Sequence, residues 1–352
     1  MMSQGATELT PVDRVAKLRA DGRRRPRLII VGLAVTLVAV FLVRVLLGTY
    51  TVTFPDFITI LQGGSIEGAR GARYIVLSDK LPRAVLGTLT GLAFGCAGAI
   101  FQLLLRNPLA SPDIIGISSG ASLGAVLGIV FWGSTGFEIS FLAVAFSLAL
   151  AILIMVLAAG HGGVGNRFIL MGIGVAALGN AVVNYLLTRI DINSAQSAMV
   201  WMTGSLSVAN WERILILLIA LCLIFPAVML FQRQLHALAV GEELAQSLGL
   251  NVTITRWLYI VLGVLLAAVA TAASGPIAFV AFVSGPIARR LIGGRHSLTA
   301  SALVGAIIVV FADFIAANFI PSGAMPVGVL TGAFGAPILI WLLVQSQKEG
   351  RS

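Results

Sequence analysis

The chain has 352 residues, of which 58% are hydrophobic and only 11% are charged, and its mean hydropathy is +1.01. A soluble domain carries about a quarter charged residues, so this composition excludes an ordinary soluble fold and indicates a membrane protein. The net charge of +9 does not indicate nucleic-acid binding, because the basic residues cluster at the ends of apolar runs.

Ten apolar runs are candidates for helices that cross the membrane, which takes about 20 residues each. They predict an all-α polytopic membrane protein whose single transmembrane domain spans residues 28–346. A basic tail (1–27) precedes this domain and a short tail (347–352) follows it. The runs are 28–48, 83–105, 114–133, 138–159, 167–188, 211–232, 255–274, 276–292, 298–320 and 327–345.

The distribution of positive charge predicts the orientation of the chain. Seven of the 23 Lys and Arg residues precede the first run, and most of the others fall in alternate loops on the same side. Because cytoplasmic loops are enriched in Lys and Arg, both termini are expected to be cytoplasmic. Arg44, near the outer end of the first run, is expected to snorkel towards the interface.

The small residues of the third run recur at helical spacing. Gly116, Gly120, Gly124 and Gly128 line one face, and such stripes let the backbones of neighbouring helices approach closely. Packing within the chain is the favoured interpretation, and a pore-lining or subunit-interface role is the alternative.

Two outward loops are longer than packing requires. The first covers residues 49–82 and is rich in glycine, whereas the second covers 189–210 and contains a semi-polar helical stretch. Polar backbone at membrane depth is tolerated beside protein or water, so the second loop is the candidate mouth of a translocation pathway. Polarity and position suggest four lining residues, namely Asn180, Asn184, Met199 and Met202.

Breaks in the later runs leave two interpretations open. Gly275-Pro276 and Gly285-Pro286 bracket an unusually short span. Interrupted helices often mark a moving or pathway element in transporters, but the same dipeptides also fit simple helix ends.

A compact amphipathic helix is predicted at about 236–249, between two apolar runs. Glu242 and Glu243 suit its N-terminal side through the helix dipole, Ala245 and Leu248 offer apolar contact, and Gly249 can end it in the left-handed conformation. A polar helix inside a membrane protein is explained most simply by docking onto a soluble partner.

The chain contains no pattern for catalysis, metal binding or nucleotide binding. No Gly-rich phosphate loop followed by Lys is present, and the three histidines lack metal-site spacing. Asp313, inside the ninth run, is the exception among buried charges. A mid-membrane carboxylate must be paired, hydrogen-bonded or neutral. With no basic partner evident at mid-membrane, a structural hydrogen bond is favoured over a proton relay.

Several motifs in a fixed order resemble the FecCD-type permease subunits of iron-siderophore and cobalamin ABC importers. The resemblance runs from about residue 78 to the C-terminus. The motifs are Lys80-Leu-Pro-Arg83, Gly98-Ala-Ile-Phe-Gln102, Arg106-Asn-Pro-Leu-Ala-Ser-Pro-Asp113, Gly116-Ile-Ser-Ser-Gly-Ala121, Trp201-Met-Thr-Gly-Ser-Leu206, Ala245-Gln-Ser-Leu-Gly249, Gly275-Pro-Ile-Ala-Phe-Val280 and Pro326-Val-Gly-Val-Leu-Thr-Gly-Ala-Phe-Gly-Ala-Pro337.

The resemblance implies a type II ABC importer bundle of ten helices in the bacterial inner membrane. Two such permeases would form the pathway between them, two ATPase subunits carrying ATP and Mg would bind on the cytoplasmic side, and a soluble or lipid-anchored substrate-binding protein would dock outside. The chain itself would hold no cofactor and would have no enzymatic activity.

The resemblance also implies roles for particular residues. The helix at 236–249 would be the coupling helix on the ATPase, and Lys80 and Arg83 would contact acidic residues of the binding protein. Gly285-Pro286 and Ala317-Asn318 depart from the usual pattern and resemble the ferric-siderophore branch, which favours a heterodimer of permeases. Haem or cobalamin cargo, or an ion-coupled secondary transporter using Asp313, are the alternatives.

Overall fold

The computed structural model describes residues 11–64, 71–113, 116–134, 136–158, 166–320 and 325–349. Within these ranges the chain is helical and forms no strand. The extreme ends of both predicted tails, the middle of the Gly-rich loop and His161 lie outside the described residues.

The helices follow the predicted apolar runs, and each of the ten runs falls largely within one of them. The chain order is α1 (Pro11–Leu46), α2 (Phe54–Leu61), α3 (Ala72–Tyr74), a π-helical turn (Ile75–Lys80), α4 (Leu81–Leu104), α5 (Ile117–Trp132), α6 (Phe137–Ala158), α7 (Asn166–Leu187), α8 (Ile192–Met202), α9 (Trp211–Val240), α10 (Glu242–Ser247), α11 (Val252–Ser274), α12 (Val280–Leu291), α13 (Leu298–Asn318) and α14 (Val327–Glu349).

The lengths of the spans are uneven. In the described part of the chain, seven helical segments are long and apolar enough to cross a membrane. Two more apolar helical stretches are shorter, namely α5 (Ile117–Trp132) and the part of α14 over Val327–Trp341, and α12 has only 12 residues. The first helix begins at Pro11, so the segment predicted as a basic tail is partly helical.

Helix α4 lies at the centre of the bundle, in contact with α9, α11, α12 and α13. The close approach of α4 and α13 requires glycine, because a side chain would clash. A Cβ added to Gly91 would lie 2.5 Å from the Cα of Ala306, and one added to Gly305 would lie 2.3 Å from the carbonyl oxygen of Gly91. Helix association in lipid depends on such small residues, so the α4–α13 contact is set by backbone approaching backbone.

The glycine stripe of α5 packs within the chain, as the favoured interpretation predicts. A Cβ on Gly124 would lie 2.4 Å from the carbonyl oxygen of Leu142 in α6, and Gly120 and Gly128 also face α6. Gly116 faces α7 instead, with a left-handed φ of +92° that suits glycine. The stripe is therefore a packing surface of the described bundle.

Candidate functional site

The predicted amphipathic helix is divided in the structure. Its first part, up to Val240, continues α9, and after Gly241 only Glu242–Ser247 forms the separate helix α10. The boundaries predicted at 236–249 were wrong at the start because α9 remains helical beyond its apolar residues.

The end of α10 is fixed by a glycine turn, as predicted. The amide of Leu250 donates to the carbonyl of Ala245 (3.0 Å), and that of Gly249 donates to Gln246 (2.9 Å). Gly249 has φ +79°, which is the left-handed position of a Schellman motif. The α10 segment is thus a short, well-terminated projection between two membrane-spanning helices.

The exposed apolar face of α10 differs from the predicted one. Ala245 is fully buried in the core, so it stabilises the segment rather than offering contact to a partner. Leu244 and Leu248 are exposed by 49% and 65%, and they lie on one side of α10 because the amide of Leu248 donates to the carbonyl of Leu244 (3.1 Å). Val240, at the end of α9, is exposed by 72%. Exposed apolar residues grouped in this way mark an interaction surface.

The two glutamates of α10 have different surroundings. Glu242 forms an ion pair with Arg256 at the start of α11, which ties the projection to the next span. Glu243 is exposed, and no hydrogen bond or ion pair is found for it among the described residues. Both lie in the first turn, where a negative charge suits the helix dipole.

A buried charge cluster joins α1, α4 and α13 near the opposite end of the bundle. The Nε of Arg44 donates to Oδ2 of Asp313 at 2.6 Å, and the Nη2 of Arg83 donates to Oδ1 at 3.1 Å. Arg83 also approaches the exposed carboxylate of Asp79 at 3.4 Å. The expectations that Arg44 snorkels and that Asp313 lacks a basic partner were therefore wrong. Two guanidinium groups compensate the carboxylate, which favours a structural role over a proton relay.

Lys80 is also buried, with 4% exposure. Its Nζ donates to the carbonyls of Val45 (3.2 Å), Leu47 (2.8 Å) and Tyr50, so it satisfies carbonyls at the end of α1 and in the segment that follows it. It ends the π-helical turn, which precedes Pro82, a residue that cannot supply the backbone N–H of a regular α-helix.

Docking onto a binding protein requires exposed side chains, and neither of the two residues predicted for this contact has one. Lys80 and Arg83 (7% exposed) are buried and engaged within the chain. Contact of these side chains with a binding protein stays a prediction that this geometry does not favour. Their partners lie far away in the sequence, at the end of α1 and the residues after it for Lys80 and in α13 for Arg83, so no local pattern indicates them.

Asn318, one of the departures from the family pattern, has a structural role. Its Oδ1 accepts from the amide of Thr49 (2.9 Å) and its Nδ2 donates to the carbonyl of Phe314 (2.7 Å). A Cβ on Gly48 would lie 2.1 Å from that Oδ1. The asparagine therefore holds the chain that leaves α1 against the end of α13.

Three glycines mark a place where interrupted segments meet, here named the glycine junction (Gly204, Gly275 and Gly328). The amide of Gly328 donates to the carbonyl of Gly204 (3.1 Å), and a Cβ on Gly275 would lie 2.5 Å from the carbonyl oxygen of Trp201. The end of α8, the break between α11 and α12 and the start of α14 thus touch backbone to backbone.

The break at 275–279 is a true interruption of helix. Gly275 has φ +73° and Phe279 has φ +65°, an uncommon conformation for a bulky side chain. The run predicted at 276–292 therefore starts as a helix only at Val280. Irregular backbone of this kind is tolerated within a membrane where it packs on protein or lines a cavity.

A cavity of about 570 Å³ lies beside the glycine junction and is here named the central cavity. It is largely apolar, but its lining includes polar groups from two distant parts of the sequence. The residues that matter here are Asp113, Ser118, Met202, Thr203, Phe279 and Gly328. A second cavity, of about 370 Å³, includes Gln196, Trp201, Ser205 and Ser274, so cavities flank the end of α8.

Among the described residues that line the central cavity, Asp113 is the one acidic side chain. Burial raises the pKa of this carboxyl, and the hydrogen bond that it accepts from the Ser118 hydroxyl opposes the shift. A raised pKa favours the neutral form, in which the group can also donate a hydrogen bond.

The shift of Asp113 predicts a pH dependence of stability. Because its pKa is higher in the folded than in the unfolded chain, its stabilising contribution is present at low pH. That contribution is lost as pH rises from the ordinary value near 3.9 through the folded pKa. We expect Asp113→Asn to remove this component, measured as the difference between the melting temperatures of variant and wild type across acidic and neutral pH. A difference that stays constant with pH would contradict the expectation.

The predicted pathway residues are only partly brought together. Met202 lines the central cavity. Asn180 and Asn184 are exposed one turn apart on α7, and Met199 is exposed on α8. Asp113, Ser118 and Thr203 were missed as lining residues, although each falls within a motif of the family resemblance.

The apolar spans, the interrupted helix and the cavity beside it define a multi-pass membrane transport protein. A family model described as the FecCD transport family matches residues 22–345. The chain therefore belongs to the FecCD transport family.

Named relatives agree with this assignment. The chain is 35% identical over 326 residues to the Fe(3+)-citrate import system permease protein YfmE of Bacillus subtilis (strain 168), covering 91% of this chain and 96% of the relative. It is 35% identical over 303 residues to the ferric enterobactin transport system permease protein FepG of Escherichia coli (strain K12), covering 86% and 91%.

A solved structure has the same architecture. It is described as an inward-facing conformation of a metal-chelate type ABC transporter, and it superposes with a TM-score of 0.79 at 26% identity. The superposition covers 90% of this chain and 99% of that chain.

Proposed function

We propose that this chain is the permease subunit of an ABC importer that carries a ferric siderophore across the bacterial inner membrane. The observation that carries the proposal is α10, which ends in a glycine turn, is tied to α11 and exposes Leu244 and Leu248 outside the bundle. A partner that binds this projection can move two spans at once, because α9 and α11 continue directly from it. The partner we assign is a separate ATPase subunit holding ATP and Mg.

The two ends of the bundle are assigned to different partners. Helix α9 has 30 residues, so α10 and the end of α8 are separated by about 45 Å along it. The α10 end, with both termini, is proposed to face the cytoplasm and two ATPase subunits. The α8 end is proposed to face outwards, where a substrate-binding protein delivers its cargo.

A second permease is proposed to complete the pathway. The exposed asparagines of α7 are unsuited to lipid, because unpaired amides are costly in hydrocarbon. Facing another permease or a water-filled pathway removes this cost. A heterodimer is favoured, because the departures at 285–286 and 317–318 resemble the branch in which two different permeases pair.

The proposed cargo is an iron chelate. The relatives named above carry iron citrate and ferric enterobactin in their names, and the central cavity offers hydroxyl and carboxyl hydrogen-bonding groups beside apolar surface. Such a lining suits a large ligand with both polar and apolar surface. Haem and cobalamin remain the competing cargoes.

Reconstitution tests the proposal. The chain, its partner permease and its ATPase are placed in nanodiscs, and ATP hydrolysis is measured with the binding protein loaded with a ferric siderophore, haem or cobalamin. We expect the ferric siderophore to stimulate hydrolysis most. Stimulation by haem or cobalamin alone would overturn the cargo assignment, and uphill uptake by the chain without any ATPase would overturn the function.

The coupling role of α10 makes a separate prediction. Leu248→Asp places a charge on the exposed apolar face, so we expect it to abolish ATPase binding and uptake while the chain still inserts. Gln246→Asp adds the same charge about 200° around the helix and is expected to retain both activities. Co-purification of the ATPase is the measurement. Equal recovery of ATPase with Leu248→Asp and with wild type would contradict the assignment of this face.

A further inference from the structure

An apolar groove of about 260 Å³ lies between α6, α9 and α11, away from the central cavity and from α10. Most of its lining is aliphatic or aromatic, including Phe137, Phe141, Ile216 and Val269. The neighbouring surface of α9 exposes Leu215, Leu218 and Ile219, as expected of a helix face in contact with lipid. The groove therefore opens towards the hydrocarbon of the bilayer.

The end of the groove nearest the start of α9 is polar. It is lined by Asn210, Glu212 and Arg213. The Asn210 side chain is already used, because its Oδ1 caps α9 by accepting from the amide of Arg213 (2.8 Å). The Nη1 of Arg213 is buried and has no hydrogen-bond partner. A buried guanidinium nitrogen without an acceptor is costly, so this atom requires a ligand.

The depth of this polar end fits the headgroup region of one leaflet. Trp211, next to both charged residues, is half exposed and its Nε1 donates to the carbonyl of Leu77 (3.1 Å). Tryptophan is enriched at the membrane interface, where its ring lies at headgroup level. The leaflet concerned is the one at the end of the bundle opposite α10.

The order of the two charges along the groove indicates which phospholipid headgroup fits. The cation of Arg213 is the more buried charge, and the anion of Glu212, one residue nearer the helix end, is exposed. In a phosphatidylethanolamine, the phosphate is attached to the glycerol and the ammonium lies further out. Negative charge then meets Arg213 and positive charge meets Glu212. An anionic phospholipid would instead leave Glu212 facing a headgroup without a cation.

We propose that this groove is a binding site for a phosphatidylethanolamine-type phospholipid. One acyl chain fills the apolar groove between α6, α9 and α11, the phosphate accepts a hydrogen bond from Arg213 and the ammonium lies by Glu212. The lipid supplies the missing acceptor and covers apolar surface on three helices. The site does not depend on the identity of the cargo or on the ATPase.

The test measures lipid retained by the purified full-length chain from nanodiscs of equal phosphatidylethanolamine and phosphatidylglycerol content. We expect wild type to retain phosphatidylethanolamine preferentially. Arg213→Gln removes a charge-assisted hydrogen bond and should reduce retention about tenfold. Glu212→Gln should abolish the preference between the two headgroups. Arg189→Gln is the matched control, because Arg189 contacts Tyr185 at the end of α7 and should bind lipid as wild type does.

A second variant separates lipid binding from folding. Ala220→Phe fills the groove from α9 without changing any charge, and we expect it to lose the lipid as well. Added phosphatidylethanolamine should raise the melting temperature of wild type but of neither Arg213→Gln nor Ala220→Phe. Retention by Arg213→Gln equal to wild type, preferential binding of phosphatidylglycerol, or the same loss in Arg189→Gln would overturn the proposal.

Discussion

Replacing Asp313 with asparagine is expected to destabilise the folded chain by about 3–5 kcal/mol, the usual result of removing one partner of a buried ion pair. The carboxylate is 2% exposed and accepts from both Arg44 and Arg83. Without it, two guanidinium groups remain buried without a counter-charge. The measurement is the midpoint of thermal or denaturant unfolding of the purified chain in a mild detergent.

Asp79→Asn provides the control for this experiment. Asp79 is a partner of Arg83 too, but its side chain is 53% exposed, so its loss should change stability by no more than about 1 kcal/mol. Equal destabilisation by the two variants, or an Asp313→Asn protein as stable as wild type, would show that the buried cluster does not hold α1, α4 and α13 together.

A triple variant distinguishes the structural role of Asp313 from a proton relay. Replacing Arg44 and Arg83 with methionine and Asp313 with leucine removes every charge of the cluster, and such apolar replacements are often neutral or stabilising. If the carboxylate is structural, the triple variant should regain stability and retain uptake. A stable triple variant without uptake would support the proton relay instead.

The charge cluster shows where reasoning from the sequence stops. Hydropathy located the apolar helices because a membrane-spanning helix needs a long apolar run, although only seven of those in the described part of the chain are long and apolar enough to span. Arg44 and Asp313 are 269 residues apart, and nothing in a single sequence indicates that α1 lies against α13. For that reason Arg44 was expected to snorkel and Asp313 to be alone.

The sequence predicted a short amphipathic helix that ends at Gly249, but it did not predict which residues of α10 are exposed. Gly249 has a local signature, because a glycine after an amphipathic segment suits the left-handed turn, and the structure has that turn. The inward position of Ala245 depends on how α10 packs against α9, which periodicity over six residues cannot resolve. The exposed face therefore had to be read from the structure.

The glycine junction was visible only as separate motifs. Gly204, Gly275 and Gly328 each fell within a motif of the family resemblance, yet their chemistry carries no sign that they meet. Hydrogen bonds and close approaches between backbones leave no side-chain pattern in a sequence. The same is true of the polar lining of the central cavity, which joins Asp113 and Ser118 to the end of α8.

Gly328→Ala is expected to reduce uptake at least about tenfold and to destabilise the chain by about 1–3 kcal/mol or more, as overpacking of a tight contact does. A Cβ at this position would lie 1.9 Å from the carbonyl oxygen of Thr203, and neither atom belongs to a flexible side chain that can turn away. The start of α14 must then separate from the end of α8, which alters the wall of the central cavity.

Gly332→Ala is the matched control because it lies one turn further along α14 and a Cβ there would meet nothing within 4 Å. In a helix interior this change should itself be neutral or stabilising by up to about 1 kcal/mol. Uptake by the reconstituted importer and the melting temperature of the purified chain are measured for both variants. If Gly328→Ala behaves like Gly332→Ala, the close contact at the junction is not required, and the interrupted segments move independently during transport. If only Gly328→Ala fails, the three segments act as one rigid unit beside the pathway, and opening of the cavity must come from displacement of that unit as a whole.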